Sequence, residues 1–372
     1  MTMMRSRSVL TLALLAVAAG WAAADWPHYR GSARQLGLAP GRLAPRLTPA
    51  WRYKTGGRIT SSPVAAAGRV FVGSHDGHLY ALRLTSGELL WRHATNGPIE
   101  GAPRVVGGAV LVGSHDGGLY ALDAATGRRR WRYPTDGKIS GSPQATRAPR
   151  GDDLWILVGS HDSSLHCVSL RTGRRVWAHP TDNYINGSPA VQNGQVIVGG
   201  CDGNLYVLSL ATGRPIRILE IDNYIPESVA VDGRHAFFGH YGNAVVCADL
   251  ATGRIVWTFR DRGFPYFSAP AVTADRVLVG GRDKRLHCLD RRTGREIWSV
   301  RTRGNVDSSP VVCDGKVAFG SEDGRLYLVS LADGRELWSH PIGAPVMSSP
   351  AVTDGMLLVG ADDGYLYAFR GA

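Results

Sequence analysis

Three observations predict an all-β chain folded as an eight-bladed propeller of four-stranded antiparallel blades. A unit of about 40 residues repeats along nearly the whole sequence. Each unit carries a tight-turn pair between two short apolar runs, and the last unit stops before its final strand.

The tight-turn pairs are Asp76-Gly77, Asp116-Gly117, Asp162-Ser163, Asp202-Gly203, Gly242-Asn243, Asp283-Lys284, Asp323-Gly324 and Asp363-Gly364. Apolar runs on both sides, such as Val70 to Gly73 and Leu79 to Leu82, read as a hairpin whose type I′ turn requires positive φ at both central residues. A second marker follows at Ser86-Gly87, Thr126-Gly127, Thr172-Gly173, Thr212-Gly213, Thr252-Gly253, Thr293-Gly294 and Asp333-Gly334. Four residues after each glycine stands Trp91, Trp131, Trp177, Arg217, Trp257, Trp298 or Trp338. A Ser-Ser-Pro-like segment then opens the next unit, so the innermost strand starts there, the hairpin supplies the second and third strands, and the Trp strand is outermost. Such a sheet has two apolar faces, and stacking around an axis buries both. The Trp is expected to act as the wedge between neighbouring sheets, burying about 200 Å² each time.

The ends of the chain predict how the ring closes. The last unit ends at Phe369 without a Trp strand, while Trp51 stands alone near the start, so the strand around Trp51 is expected to complete the final blade. The one sizeable insertion, Thr146 to Asp153, falls between the first and second strands of blade 3.

Residues 1–24 carry Arg5 and Arg7, an apolar run from Val9 to Ala19, and Ala22, Ala23 and Ala24 before Asp25. These are the parts of a secretory signal cleaved after Ala24, and the run is too short for a membrane span. An extended segment, 25–46, then leads into the propeller at 47–372. No cysteine precedes Cys167, so no thiol near the cleavage point could take a lipid. The expected product is a periplasmic or secreted monomer without a transmembrane segment.

The formal charge is +11, and removal of Arg5 and Arg7 lowers it by two. The arginines are scattered beside turns, which suits an evenly basic solvated surface rather than a nucleic-acid partner. Five cysteines is an odd number, and Cys167, Cys247 and Cys288 occupy the place of Ala81 and Ala121, so they read as small buried side chains.

The run ALDAATGRRRW (121–131) resembles the PQQ-type quinoprotein repeat throughout, and DWPHYRG (25–31), WRYKTGG (51–57) and GSHDGHLYAL (73–82) resemble the start of PQQ-binding-like propeller proteins. That group includes the BamB-type scaffold of outer-membrane β-barrel assembly. The resemblance implies either a platform that docks envelope proteins or a quinone-dependent oxidoreductase that binds PQQ with calcium. Two departures bear on this choice. BamB-type subunits are lipoproteins, whereas no cysteine stands at the cleavage point here. The dehydrogenases use a vicinal cysteine pair, a Glu, Asn and Asp calcium site and long funnel loops, whereas this chain has no adjacent cysteines and almost constant spacing.

Candidate site residues come from comparing equivalent positions. Just before the hairpin Asp stand His75, His115, His161 and Cys201 on consecutive blades, followed by Tyr241, Arg282, Glu322 and Asp362. The first four are residue types that bind zinc or copper, but equivalent backbones about 10 Å apart disfavour one shared ion, and turn support is the preferred reading. The connections into blades 4 to 6 hold Asn183, Tyr184, Asn223, Tyr224, Phe264 and Tyr266, an aromatic patch suited to protein docking or carbohydrate stacking. The funnel is expected to be lined by Thr60, Glu100, Ser140, Asn186, Pro226, Phe267, Asp307 and Met347, with Glu100 and Asp307 too far around the ring to form a catalytic pair. No hydrolase triad or phosphate loop is present. The first functional expectation is therefore a non-enzymatic, cofactor-free scaffold for envelope proteins. The alternatives are a PQQ oxidoreductase or degenerate relative, and a carbohydrate-binding module.

Overall fold

The computed structural model describes residues 25–372, and the export signal read at 1–24 lies outside the described residues. Eight antiparallel sheets form the ring. Seven are built from consecutive strands, at 64–94, 104–134, 144–180, 190–220, 230–259, 271–301 and 311–341. Their short first strands contact one another around the axis, so each blade runs from the inside outward as the repeat predicts. The eighth blade consists of Ala351–Thr353, Met356–Gly360 and Tyr365–Gly371, completed by Leu47–Lys54. That strand pairs antiparallel with the chain end, Trp51 opposite Ala368 and Lys54 opposite Tyr365. Among the described residues no helix is long and apolar enough to cross a membrane.

The hairpin turns differ from the predicted type. Gly77 has φ 80°, but Asp76 is not in the positive-φ region. The Gly77 amide donates to Ser74 O at 3.1 Å and the Ser74 amide to His78 O at 3.0 Å. This is a three-residue loop, a type I turn followed by one left-handed residue, which Gly, Ser163, Asn243 or Lys284 supplies. The Asp is therefore present for its side chain. Asp76 accepts from the His78 amide (3.0 Å), the Tyr80 hydroxyl (2.6 Å) and the Gly56 amide of the incoming loop (2.7 Å).

The Trp residues also act differently from simple wedges. Most are only half-buried, and their indole N–H groups reach across to carbonyls of the next blade: Trp51 to Leu84 (2.8 Å), Trp131 to Leu170 (2.8 Å) and Trp177 to Leu210 (2.9 Å). Trp91, Trp257 and Trp298 do the same with Ala124, Arg291 and Leu331. Trp338 instead packs against Phe369, ring centroids 5.3 Å apart. Arg217 keeps the bond, its guanidinium donating to Ala251 O at 2.8 Å. Apart from Trp338, each ring lies on the glycine of the neighbouring turn. A Cβ on Gly127, already at φ +70°, would stand 2.6 Å from Trp91.

The deep core lies further in. Ile59, Ile99, Ile139, Ile185 and Ile225 are fully buried, each filling a slot opened by a glycine of the preceding blade; a Cβ on Gly73 would meet Ile99 at 2.1 Å. All five cysteines are buried and unpaired with one another.

Segment 25–46 proves to be more than an arm. It runs under the ring and offers carbonyls to the exposed edges of the innermost strands. Trp26, Pro27, Ala33, Arg34, Leu36 and Gly37 accept from Ala65, Val105, Val191, Val231, Val272 and Val312 in turn, at 2.8 to 2.9 Å. Leu38–Ala39 then pairs parallel with blade 7. In blade 3 the Ala145 amide is met instead by Gln144 Oε1 at 2.9 Å. Unpaired inner edges would otherwise leave buried donors without partners.

The turn geometry yields a test. Gly151→Ala, at φ +79° with nothing within 4 Å, is expected to cost about 1 kcal/mol. Gly127→Ala adds a collision with Trp91 and is expected to cost about 3 kcal/mol in total. Denaturant midpoints of the two variants measure the difference.

Candidate functional site

The axial channel opens at one end as a funnel of ≈ 650 Å³ and narrows to a constriction of ≈ 80 Å³. The second residue of each Ser-Ser-Pro-like segment builds the constriction. Hydroxyls of Ser142, Ser188, Ser228, Ser309, Ser349 and Ser62 accept from the amides of Ala102, Ser142, Ser188, Ala269, Ser309 and Ser349, at 2.8 to 3.0 Å. This girdle breaks where Ala102 and Ala269 carry no hydroxyl. At the second gap the Ser228 amide turns to Glu227 Oε2 at 3.1 Å.

Segment 25–46 floors the channel. Tyr29 OH meets Ser309 Oγ at 3.0 Å, and Arg30, 1% exposed, donates from Nη1 to Pro310 O at 2.6 Å. Gly37 is needed beneath Arg30, where a Cβ would stand 2.2 Å from Nη2, and Gly31 beneath the Trp26 ring. Burial raises the Glu227 carboxyl from 4.5 to about 7 against the opposing pull of Arg30, and raises the Tyr29 phenol to about 12. Glu227 was overlooked in the sequence because Pro226 occupies the position compared between units. The missing hydroxyl at Ala269 is the signal that could have pointed to it.

Thr60, Glu100, Ser140, Asn186, Pro226, Phe267, Asp307 and Met347 all line the funnel. Three of its carboxylates are held by protein groups, whereas Asp362, on the same wall, keeps a buried Oδ1 without a partner. Glu100 Oε2 lies 2.8 Å from His115 Nε2, and its other oxygen 3.7 Å from His75 Nε2. The hydrogen bond from His115 holds the Glu100 carboxyl below its usual range. Asp307 takes a forked contact from Arg282 at 2.8 and 3.2 Å, and Glu322 accepts from Asn305 at 2.8 Å.

The histidine row corrects an expectation. The turns are already closed by Ser and Asp groups, so the rings are free to lean into the funnel. His75 Nε2 meets Thr60 Oγ1 at 2.8 Å, His115 also meets Ser140 at 3.2 Å, and His161 stacks on Tyr184 with centroids 4.5 Å apart. Cys201 Sγ accepts from Asn186 at 3.3 Å. Burial lowers the His75 and His161 pKa values, with Arg58 and Lys138 adding to it.

On the rim of the same face, Tyr184, Tyr224 and Phe264 are 47%, 51% and 46% exposed. Tyr241, 50% exposed, packs on Tyr224 (5.9 Å) and on the funnel residue Phe267 (4.6 Å), and Arg282 covers the Phe267 ring at 3.9 Å. Tyr241 and Arg282 were visible in the row before the hairpins but carried no site signal there. Asn183 and Asn223 serve the loops themselves, Asn183 donating to Cys201 O at 3.2 Å. Tyr266 is a correction: it is 1% exposed and belongs to the core. The loop into blade 6 has one extra residue, so Tyr266 falls in the slot that Ile185 and Ile225 fill elsewhere, and a Cβ on Gly239 would strike it at 2.6 Å.

The fold and this face define an eight-bladed propeller of the PQQ-like repeat class with a polar, floored funnel and an aromatic rim. The chain belongs to the family described as outer membrane protein assembly factor BamB, whose model matches residues 41–259 and 263–372. Among solved structures it is similar to BamB from Moraxella catarrhalis, at 20% identity and TM-score 0.71, covering 87% of this chain and 99% of that one. It is also similar to the quinohemoprotein alcohol dehydrogenase from Comamonas testosteroni (16% identity, TM-score 0.78, 94% and 81% covered). A europium-containing methanol dehydrogenase matches with 14% identity and TM-score 0.76, covering 93% and 98%. These likenesses concern the fold. No curated protein matches the chain significantly.

The buried carboxyl at the channel floor sets a pH dependence. Its folded pKa lies above its ordinary value, so its stabilising contribution is complete below about pH 4.5 and is lost as pH rises through about 7. Between pH 5 and 8 the melting temperature of the protein is expected to fall relative to that of Glu227→Gln, and parallel thermal denaturation curves measure it.

Proposed function

We propose that the protein is a non-enzymatic scaffold of the periplasm that docks other envelope proteins, in the manner of an outer-membrane assembly factor. The observation that carries this reading is the exposed aromatic rim of Tyr184, Tyr224, Tyr241 and Phe264 on the funnel face. Tyr and Phe beside Arg282 supply large contact area with few rotatable bonds, the composition of protein-docking surfaces. Family membership supports the same reading.

The dehydrogenase neighbours raise a second reading, in which the funnel holds PQQ and calcium. Arg58 and Lys138 in the funnel wall could face the carboxylates of such a cofactor. The calcium requirement fits poorly. Glu100, Asp307 and Glu322 are engaged by His115, Arg282 and Asn305, and Asn186 is turned to Cys201, which leaves Asp362 Oδ1 as an unpartnered buried oxygen on the funnel wall, against the roughly six to eight oxygen ligands that calcium takes. A sugar ligand would use the same rim and is an outcome of the same test.

Tagged protein and the Tyr184→Ala, Tyr224→Ala double variant, incubated with envelope extract, are expected to differ in the proteins retained while melting at the same temperature. An identical set of retained proteins overturns the rim assignment. Retention abolished by added oligosaccharide would favour the sugar reading, and dye-linked alcohol oxidation after incubation with PQQ and calcium would replace the scaffold reading with the enzymatic one.

A further inference from the structure

Blade 6 departs from the repeat at its hairpin. In blades 1, 2, 3, 4 and 7 the turn Asp accepts from a backbone amide of the incoming loop, those of Gly56, Asn96, Asp136, Asp182 and Arg303. The loop into blade 6 is one residue longer, and the Asp283 carboxylate is met instead by His287, at Oδ2. The Asp283 side chain is only 1% exposed, and Oδ1 has no partner. A second buried polar group is stranded beside it, for the Tyr266 hydroxyl also lacks a partner in a residue 1% exposed. The Tyr266 ring itself packs against the His287 ring, centroids 5.8 Å apart.

The longer loop brings Asp261 into the space. Ligand atoms of Asp261, Asp283 and His287 lie within 4.8 Å of one another, the one such group among the described residues. His287, fully buried, stands where most blades have Tyr. Its Nε2 lies 2.9 Å from Asp283 Oδ2, while Nδ1 lies 2.6 Å from Glu296 Oε2. A carboxylate on one ring nitrogen that turns the other toward an anionic pocket is the arrangement that orients a metal-bound histidine.

We propose that Asp261, Asp283 and His287 form a binding site for a divalent transition-metal ion, with Glu296 fixing the histidine and Tyr266 completing the wall. One imidazole and two carboxylates suit Zn²⁺, Co²⁺ or Mn²⁺, whereas calcium sites take oxygen ligands alone. Small side-chain rotations would bring the three atoms to about 2.0–2.2 Å from a common centre. The ion would supply the charge that stranded Asp283 Oδ1 lacks. Entry runs past Asp261 and Glu296, whose side chains are 34% and 36% exposed. The site lies at the blade 5 to blade 6 junction, apart from the funnel carboxylates, and stands independently of the scaffold reading.

Cobalt is the probe. Metal-free protein titrated with Co²⁺ is expected to develop a visible d–d absorption at one equivalent, lost on adding Zn²⁺, with a rise in melting temperature for either ion. Asp261→Asn, at a half-exposed position, should weaken binding about tenfold or more without altering the metal-free melting temperature. His287→Tyr installs the Tyr to Asp bond of blades 1, 2, 4, 7 and 8 and should abolish the spectrum, whereas His115→Ala in the funnel should leave it intact. No cobalt spectrum in the unaltered protein, or an equal one in Asp261→Asn, overturns the site; if His287→Tyr fails to fold, the Asp261→Asn titration decides alone.

Discussion

The structure depends on closing the ring between residues that lie at opposite ends of the chain. Leu47–Lys54 pairs with Tyr365–Gly371, and the core at that seam joins Ile59, Val70 and Leu82 to Leu357, Leu366 and Phe369, with Trp26 and Leu43 packed beneath. Each blade can bury its two apolar faces only between two neighbours, so an unclosed ring would leave one face of the first blade and one of the last in water. Closure also removes two exposed sheet edges that would otherwise be templates for pairing with other chains.

Closure creates a second problem at the axis, where eight innermost strands turn unpaired amides inward. Two devices meet it. Seryl hydroxyls bridge one blade to the next around the constriction, and segment 25–46 supplies carbonyls further down. Where Ala269 interrupts the girdle, Glu227 takes over an amide, and its carboxylate then sits opposite the buried Arg30 of the floor. The channel is thereby shut at its narrow end, and the wide end is left as the accessible face, with cationic groups and carboxylates interleaved around its wall and aromatic rings along part of the rim.

Variation between blades carries the candidate functions. The repeat has a standard form in which Asp, Tyr and a loop amide close each hairpin. One extra residue before blade 6 breaks that form, pushes Tyr266 into a core slot, leaves Asp283 short of a partner and brings Asp261 toward His287. Substitution of Arg217 for Trp has little such effect, since the guanidinium makes the same contact with the next turn.

The sequence by itself determined the blade count, the strand order within a blade, the seam at Trp51 and the positions facing the funnel, because a repeat with fixed spacing places equivalent residues at equivalent depths. It also showed which connections are aromatic. It did not reveal that Asp76 closes its turn through its side chain while Gly77 alone adopts positive φ, since both turn types favour the same residue pair. Nor could it separate Tyr266 from Tyr184, because one inserted residue shifts the register and only packing shows which ring falls inward. The role of segment 25–46, the convergence of His75 and His115 on Glu100, and the grouping of Asp261 with Asp283 and His287 join residues on different strands and loops. Those meetings are set by side-chain direction across blade junctions, which spacing along the chain does not encode.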